Sequence, residues 1–241
     1  MGLKFEIFFN FLIPPPHTPL QTVWIPELVA DNRITGTRLA PVIRMDSLPN
    51  SFAEVVRSNG DLFEPLHQHV FHYRMRQEES AVEFCESILL RRAELNGLAE
   101  MGFDLAVCDM IDYCFVGIAY NVLSIRRYVF LSTGPTPESW EWTLGVPHPP
   151  SYVPALQDTM VRPAGTSFTD RLFNTYMVVG GWATLWRMRR RQQALFDKHI
   201  GRGLPTLEEL ASGRTWMVLH VGAMELEPAS PITSRHRFIA G

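Results

Sequence analysis

The sequence predicts an α/β fold built on a parallel sheet, and three adjoining segments carry that prediction. Residues 103–108 (FDLAVC) are nearly all apolar, follow Gly102 and end at Asp109. The run is too short for a helix and has the composition of a strand covered on both faces. Residues 111–123 then carry Ile111, Phe115, Ile118 and Val122 at helical spacing, and residues 128–131 (YVFL) form a second buried run ending in Ser132, Thr133 and Gly134. Strand, helix and strand within about 30 residues make a βαβ unit with a right-handed crossover.

The remaining elements follow in chain order. Lys4 precedes an apolar run over residues 5–13, but Glu6 and Asn10 interrupt it and Pro14, Pro15 and Pro16 follow without a small-residue cleavage site. It makes a poor signal peptide and reads instead as an edge strand. Residues 22–25 (TVWI) form a strand stopped by Pro26, and residues 38–45 (RLAPVIRM) a second that Pro41 weakens. Residues 52–100 are helical in pattern, with a break at Gly60 and Asp61, and hold two or three helices. Residues 135–163, with Pro147, Pro149, Pro150 and Pro154 around Tyr152, are expected to form a long extended surface loop without regular structure. Ser167 and Thr169 offer caps for a helix over residues 170–200, closed by Gly201 and Gly203; a shorter helix over 206–211 precedes a strand at 216–221.

Composition narrows the function classes. The chain has 241 residues, with 22 Lys and Arg against 25 Asp and Glu, a net charge of −3. No nucleic-acid partner is expected from that balance. With 46% hydrophobic and 20% charged residues it has the makings of an ordinary globular core, in one large or two small domains. The longest nearly charge-free stretch, residues 173–186, is shorter than the 18 or so residues a spanning helix needs, so no transmembrane helix is expected. Three cysteines, Cys85, Cys108 and Cys114, do not make the paired framework of a small secreted scaffold, and the core is expected to need no cross-link.

Ligands of open α/β sheets bind beyond the carboxyl ends of the strands, which makes Asp109 the best-placed ionisable residue. The bland alternative is a cap for the next helix, a task Asp112 could also take. Ser132 and Thr133 end the neighbouring strand and could face the same crevice, or simply form a turn. His67, His69 and His72 lack a matching Cys or carboxylate, and the first two would point to opposite sides of a helix, so no metal site is expected. No G-x-S-x-G, H-E-x-x-H, C-x-x-C, Walker A or G-x-G-x-x-G pattern occurs. In the segment from Val178 to Gln192 the apolar residues Trp182 and Trp186 adjoin Arg187, Arg189, Arg190 and Arg191, an arrangement suited to an anionic membrane surface or to a solvated helix face.

The order of these features resembles a known family. FDLAVCD, a helix with Gly117 and Ala119, YVFLST, LGVPHPPSYVPAL, TSFTDRLFN and finally MELEPASPITSRHRFIAG follow one another as in the amino-terminal half of animal UDP-glycosyltransferases, the UDP-glucuronosyl- and glucosyltransferase family, with the nematode members most similar. The stretch from Gly145 to Pro154 followed by that from Ser167 to Asn174 is specific in combination. The resemblance covers residues 22–241.

That resemblance implies two Rossmann-like domains in a GT-B fold, with the acceptor bound mainly by the amino-terminal half and the UDP-sugar mainly by the carboxyl-terminal half. This chain then reads as a truncated first half: residues 1–21 an atypical segment, residues 22–241 the acceptor-side domain, the UDP-sugar-binding domain absent and no cofactor bound. It implies inverting transfer of glucuronate or glucose to a hydroxyl of a small lipophilic acceptor. In the family a histidine, oriented by an aspartate, deprotonates that hydroxyl, and Asp109 matches the aspartate. Ser132 and Thr133 become candidate acceptor contacts. The family's habit also implies the lumenal side of the endoplasmic reticulum, membrane association and pairing with a second family chain. The family's histidine lies in the loop after the first strand, before a helix; residues 1–21 do not read as strand, loop and helix, and His17 stands close against the TVWI strand. The alternative from another class is a non-catalytic relative that binds lipophilic ligands or a partner chain.

Overall fold

Short β-branched and aromatic runs build the sheet, and longer runs at helical spacing cover it. The computed structural model describes residues 10–13, 22–28, 40–57, 70–110, 113–132, 136–155, 167–221 and 230–239. Among these the strands are β1 Asn10–Ile13, β2 Thr22–Pro26, β3 Val42–Met45, β4 Leu105–Asp109, β5 Tyr128–Ser132, β6 Thr215–Val221 and β7 His236–Ile239. They form one sheet in the order β3-β2-β1-β4-β5-β6-β7. The helices are α1 Phe52–Arg57, α2 Val70–Leu90, α3 Arg92–Glu100, α4 Cys114–Asn121, α5 Glu138–Thr143, α6 Phe168–His199 and α7 Leu207–Arg214.

The predicted βαβ unit is β4, α4 and β5, with β4 and β5 parallel. Two expectations about β1 are corrected. It lies inside the sheet rather than at an edge, and it runs antiparallel to both neighbours, with Phe11 opposite Val23 on one side and Val107 on the other. The cause is the short connection. Only residues 14–21 separate β1 from β2, whereas a parallel return needs a crossover of about a dozen residues or more. The pairs β2–β3, β5–β6 and β6–β7 are parallel, so all strands except β1 place their carboxyl ends at one edge.

The proline-rich segment also departs from expectation. Pro137 caps α5, Pro147 follows it, and the proline-free stretch between them holds a helical turn whose Trp140 is fully buried against Tyr113. The strand β7 was not anticipated; its four residues pair with β6, too few to stand out as a periodic pattern. Caps on the last two helices follow the sequence: the Ser167 hydroxyl accepts from the Asp170 N–H at 3.2 Å, and Thr206 and Glu209 form a reciprocal capping box. Helix α4 lies so close to α6 and α7 that a Cβ on Gly117 would collide with the Phe196 ring and stand 2.7 Å from Leu207 Cδ2. Against the expectation of an uncrosslinked core, Cys85 on α2 and Cys114 on α4 form a disulfide, while Cys108 is a buried thiol.

At the far side of the sheet His220 of β6 and His236 of β7 stack with ring centroids 5.1 Å apart, and His220 Nε2 and His236 Nδ1 share a hydrogen bond of 2.9 Å. Burial, reinforced by the neighbouring His220, holds His236 down to a pKa of about 4. An unfolded histidine titrates near 6.5, so between pH 6.5 and 4 the unfolded chain binds the extra proton. Stability from this group is therefore complete above about pH 6.5 and falls as pH drops toward 4, by up to about 3 kcal/mol. Urea unfolding across that window should show the loss in the native protein and a correspondingly shallower one in His236→Phe.

Candidate functional site

Where the carboxyl ends of β2 and β4 meet helices α2, α4, α5 and α6, the structure encloses a cavity of about 400 Å³. Its wall is largely apolar. Trp24 and Pro26 come from β2, Phe84 and Ile88 from α2, Phe115 and Ile118 from α4, Trp140 from α5, and Leu185 and Met188 from α6. The helical residues reach the cavity because their spacing turns one apolar stripe inward, and Trp24 and Pro26 share a face of β2 by strand alternation. Size and lining suit a drug-sized organic ligand.

Asp109, the last residue of β4, lies in this wall. Its Oδ1 accepts a hydrogen bond of 2.6 Å from the Met110 N–H. The N-cap position of α4 is held by Tyr113, whose own side chain makes no cap. The Tyr113 N–H instead donates to Gln192 Oε1 at 3.1 Å, a fully buried amide of α6. Ser132 is buried at the end of β5 but does not line the cavity. Thr133, Asp112, His17, His67 and His69 lie outside the described residues, and of His72 only the backbone, within α2, is described. Among the described residues no group of three or more His, Cys, Asp and Glu could hold a metal ion.

The site also contains charged residues that the sequence did not single out. Arg74 of α2 and Glu138 of α5 both line the cavity and pair at 3.6 Å, each about 95% buried. Arg74 Nη1 also donates to the Met177 carbonyl of α6 at 3.1 Å. The pair sits on the α6 backbone at Gly181, where a Cβ would collide with Glu138 Oε1 and stand 2.6 Å from Arg74 Nη1. One helical turn beyond Arg74, Glu78 accepts from Arg187 Nε and Arg191 Nη1, each at 3.2 Å. Burial still raises its pKa, against the opposing pull of both arginines. Beside Glu138, Glu141 is hydrogen-bonded to His148 Nδ1, and burial raises the Glu141 pKa in spite of that bond. No local sequence pattern marks these residues; the one hint is that charged positions on α2 and α5 fall on faces that are otherwise apolar.

Three of the four arginines in the basic half of α6 are paired with carboxylates of neighbouring helices. Arg187 and Arg191 hold Glu78, Arg189 pairs with Glu208 of α7 at 2.7 Å, and Arg190 lies over the Trp186 ring at 4.8 Å. Val178 and Gln192, the ends of the segment considered for membrane contact, are both buried. No helix among the described residues is long and apolar enough to cross a membrane.

A family profile described as UDP-glucoronosyl and UDP-glucosyl transferase matches residues 40–241. The chain belongs to this family. Sheet and match together show the Rossmann-like amino-terminal domain of a GT-B glycosyltransferase. Among curated relatives, a Caenorhabditis elegans protein named as a candidate UDP-glucuronosyltransferase, ugt-50, is 22% identical over 73% of this chain and 33% of its own length. UDP-glucuronosyltransferase 3A1 of Xenopus laevis is 26% identical over 62% of this chain and 31% of its own. The chain thus spans about a third of the length of these relatives. No solved structure matches it significantly.

The two segments that carry the resemblance to the UDP-glycosyltransferases meet at one residue. Asn174 Nδ2 donates to the carbonyls of Pro150 and Val153, both at 2.7 Å, and its Oδ1 accepts from the Ala155 N–H at 2.8 Å. One amide therefore fastens the proline-rich segment to α6, through three backbone groups that would otherwise need other partners.

Because Arg74 and Glu138 are buried together, removing one leaves the other charge without its partner. Either Arg74→Ala or Glu138→Ala should cost about 3–5 kcal/mol. The paired replacement Arg74→Met with Glu138→Leu should cost less than either single change. Urea unfolding of the three variants measures the coupling; a double variant as damaged as the sum of the singles would show that the pair is uncoupled.

Proposed function

We propose that this chain supplies the acceptor-binding domain of a UDP-sugar-dependent transferase that moves glucuronate or glucose onto a hydroxyl of a small lipophilic compound. The observation that carries the reading is the apolar cavity at the carboxyl ends of β2 and β4 with Asp109 in its wall. In the reaction a base takes the hydroxyl proton, the oxygen attacks the anomeric carbon, and the bond from that carbon to the diphosphate breaks with inversion, UDP leaving with the electron pair. Asp109 acts as the positioning carboxylate. It fixes the tautomer of a histidine base and stabilises the imidazolium that forms. The UDP-sugar is held mainly by a carboxyl-terminal domain of the family enzyme.

Asp109→Asn keeps the shape of the side chain and removes its charge. In an active transferase containing this domain, kcat should fall about 10²–10⁴-fold with the unfolding temperature unchanged. Turnover close to that of the native protein would remove Asp109 from the mechanism.

The same reading places the domain on the lumenal side of the endoplasmic reticulum, against the membrane. The Cys85–Cys114 disulfide supports an oxidising compartment. Phe168, Leu172, Tyr176, Val179, Trp182 and Trp186 lie exposed along one face of α6, and such a face buries apolar area in an interfacial layer. The attachment we propose is chiefly aromatic and aliphatic, since Arg187, Arg189 and Arg191 are paired with carboxylates of the domain. Serine at Leu172, Tyr176 and Trp182 together should lower flotation with lipid vesicles by at least about tenfold, given roughly 1.5–3 kcal/mol for each large apolar side chain buried. Unchanged flotation would remove this face as the attachment.

A further inference from the structure

The edge of the sheet opposite the cavity carries a group of arginines for which the reaction has no use. Arg126 and Arg127 lead into β5, Arg214 ends α7 and leads into β6, and Arg235 leads into β7; all four are exposed. Tyr128 and Thr215 are register partners, which sets Arg127 beside Arg214 on adjacent strands, about 5 Å apart in backbone. Arg235 precedes the His236–Val218 pair, farther along β6, but its side chain reaches back, Nη1 donating to the Ser212 carbonyl in the last turn of α7 at 3.0 Å. In a chain of net charge −3 this is a local excess of cations. Among the described residues no carboxylate forms an ion pair with any of the four. The β4–β5 register, extended by two residues, sets the exposed Asp104 opposite Arg126, one acidic charge against four basic ones.

Three of the four guanidinium groups are held in place. Arg126 lies over the Tyr120 ring at 4.3 Å and Arg214 over the same ring at 5.7 Å, while Arg235 is anchored on Ser212. A guanidinium fixed in this way keeps its fork of donors in one plane and loses little further freedom on binding, which suits the two coplanar oxygens of a carboxylate. A bilayer of anionic headgroups needs no such order, because it attracts a cation in any orientation. The ordered arginines therefore favour carboxylates carried on a polypeptide. Trp216, 61% exposed two residues beyond Arg214, adds an aromatic side chain of the kind that anchors protein interfaces together with arginine.

We propose that this edge docks an acidic segment of a partner polypeptide, whose carboxylates are taken by Arg126, Arg127, Arg214 and Arg235. The cavity opens at the carboxyl ends of β2 and β4, whereas the arginines stand at the amino ends of β5, β6 and β7. Docking therefore leaves the cavity free, and a partner and a small ligand can be bound at once. The inference stands on the geometry of this edge and is independent of the transferase reading.

Fluorescence anisotropy of labelled hexaglutamate against the full chain tests it, with hexaglutamine as the uncharged control. Hexaglutamate should bind and hexaglutamine should not, and the affinity should fall steeply between about 0.05 and 0.5 M salt. The pair Arg126→Gln with Arg214→Gln, and the pair Arg127→Gln with Arg235→Gln, should each weaken binding at least about tenfold. Arg126→Lys with Arg214→Lys keeps the charge, loses the fork, and should still weaken binding about threefold or more. No binding of hexaglutamate, or binding unchanged in both glutamine pairs, overturns the site. A lysine pair that binds as the native protein does overturns recognition by ordered guanidinium groups. Flotation with phosphatidylserine vesicles that both glutamine pairs abolish, without hexaglutamate binding, overturns the polypeptide partner and assigns the edge to a lipid surface. Thermal unfolding checks each variant, and if one pair fails to fold, the other pair and the native protein's salt dependence decide.

Discussion

Burying an arginine–glutamate pair against a helix backbone is the constraint on which the candidate site depends. Arg74 and Glu138 together cost several kcal/mol to remove from water, and their mutual attraction is offset against that cost only if the geometry is good. Here the geometry is secured from three helices at once: α2 supplies the guanidinium, α5 the carboxylate, and α6 the Met177 carbonyl and the bare backbone at Gly181. Helix α5 has six residues, far short of the length at which a helix is stable alone. Its position, and with it the Trp140 wall of the cavity, follows from Glu138 and from the stacking on Tyr113. Farther along the same seam, Glu78 ties α2 to Arg187 and Arg191, and Gln192 joins α6 to the Ala81 carbonyl and the start of α4. A cavity framed by such contacts holds its shape without a ligand.

What could be read from the sequence and what could not divide along the range of the interactions concerned. The strands β4 and β5, the helix between them and the capped starts of α6 and α7 rest on local pattern, and the structure has them within a few residues of where the pattern put them. Helix α5 was hidden by the prolines around it, although residues 138–146 contain none. The reversal of β1 depends on the length of its connection to β2, which local residue pattern does not express. Asp109 was visible because strand ends are where ligands of such sheets bind. Arg74, Glu78 and Glu138 were not, because their role rests on partners such as Met177 and Arg191, more than 100 residues away in the chain. Ser132 had the right position and the wrong side: its strand end is at the crevice edge, yet the residue is buried away from the cavity lining.

Helix α6 serves two environments with one sequence, and this explains why its overall pattern is weak. Its first half, from Phe168 to Trp186, turns large apolar side chains outward while Met177, Val178 and Gly181 face in. Its second half buries Met188, Gln192 and Phe196 and pairs Arg187, Arg189 and Arg191 with acidic residues of α2 and α7. A reading by composition alone joins the tryptophans and arginines into one amphipathic surface. The ion pairs set Arg187, Arg189 and Arg191 apart from it, because an arginine already held by a carboxylate gains little from a second anion.

The direction of β1 bears on the edge that holds Asp109 in the same way. With β1 antiparallel to its neighbours, Asn10 lies opposite Trp24, and Phe11 opposite Val107, near the edge where β4 delivers Asp109. Ile13 pairs with Leu105 instead, at the amino end of β4, and β2 begins at Thr22 on that same edge. Ile13 and Thr22 thus both lie on the edge away from Asp109. In a parallel first strand the carboxyl end would instead lie beside the carboxyl end of β4. Reversing one strand exchanges the two ends, so that Asn10 rather than Ile13 lies at the edge that holds Asp109 and the cavity.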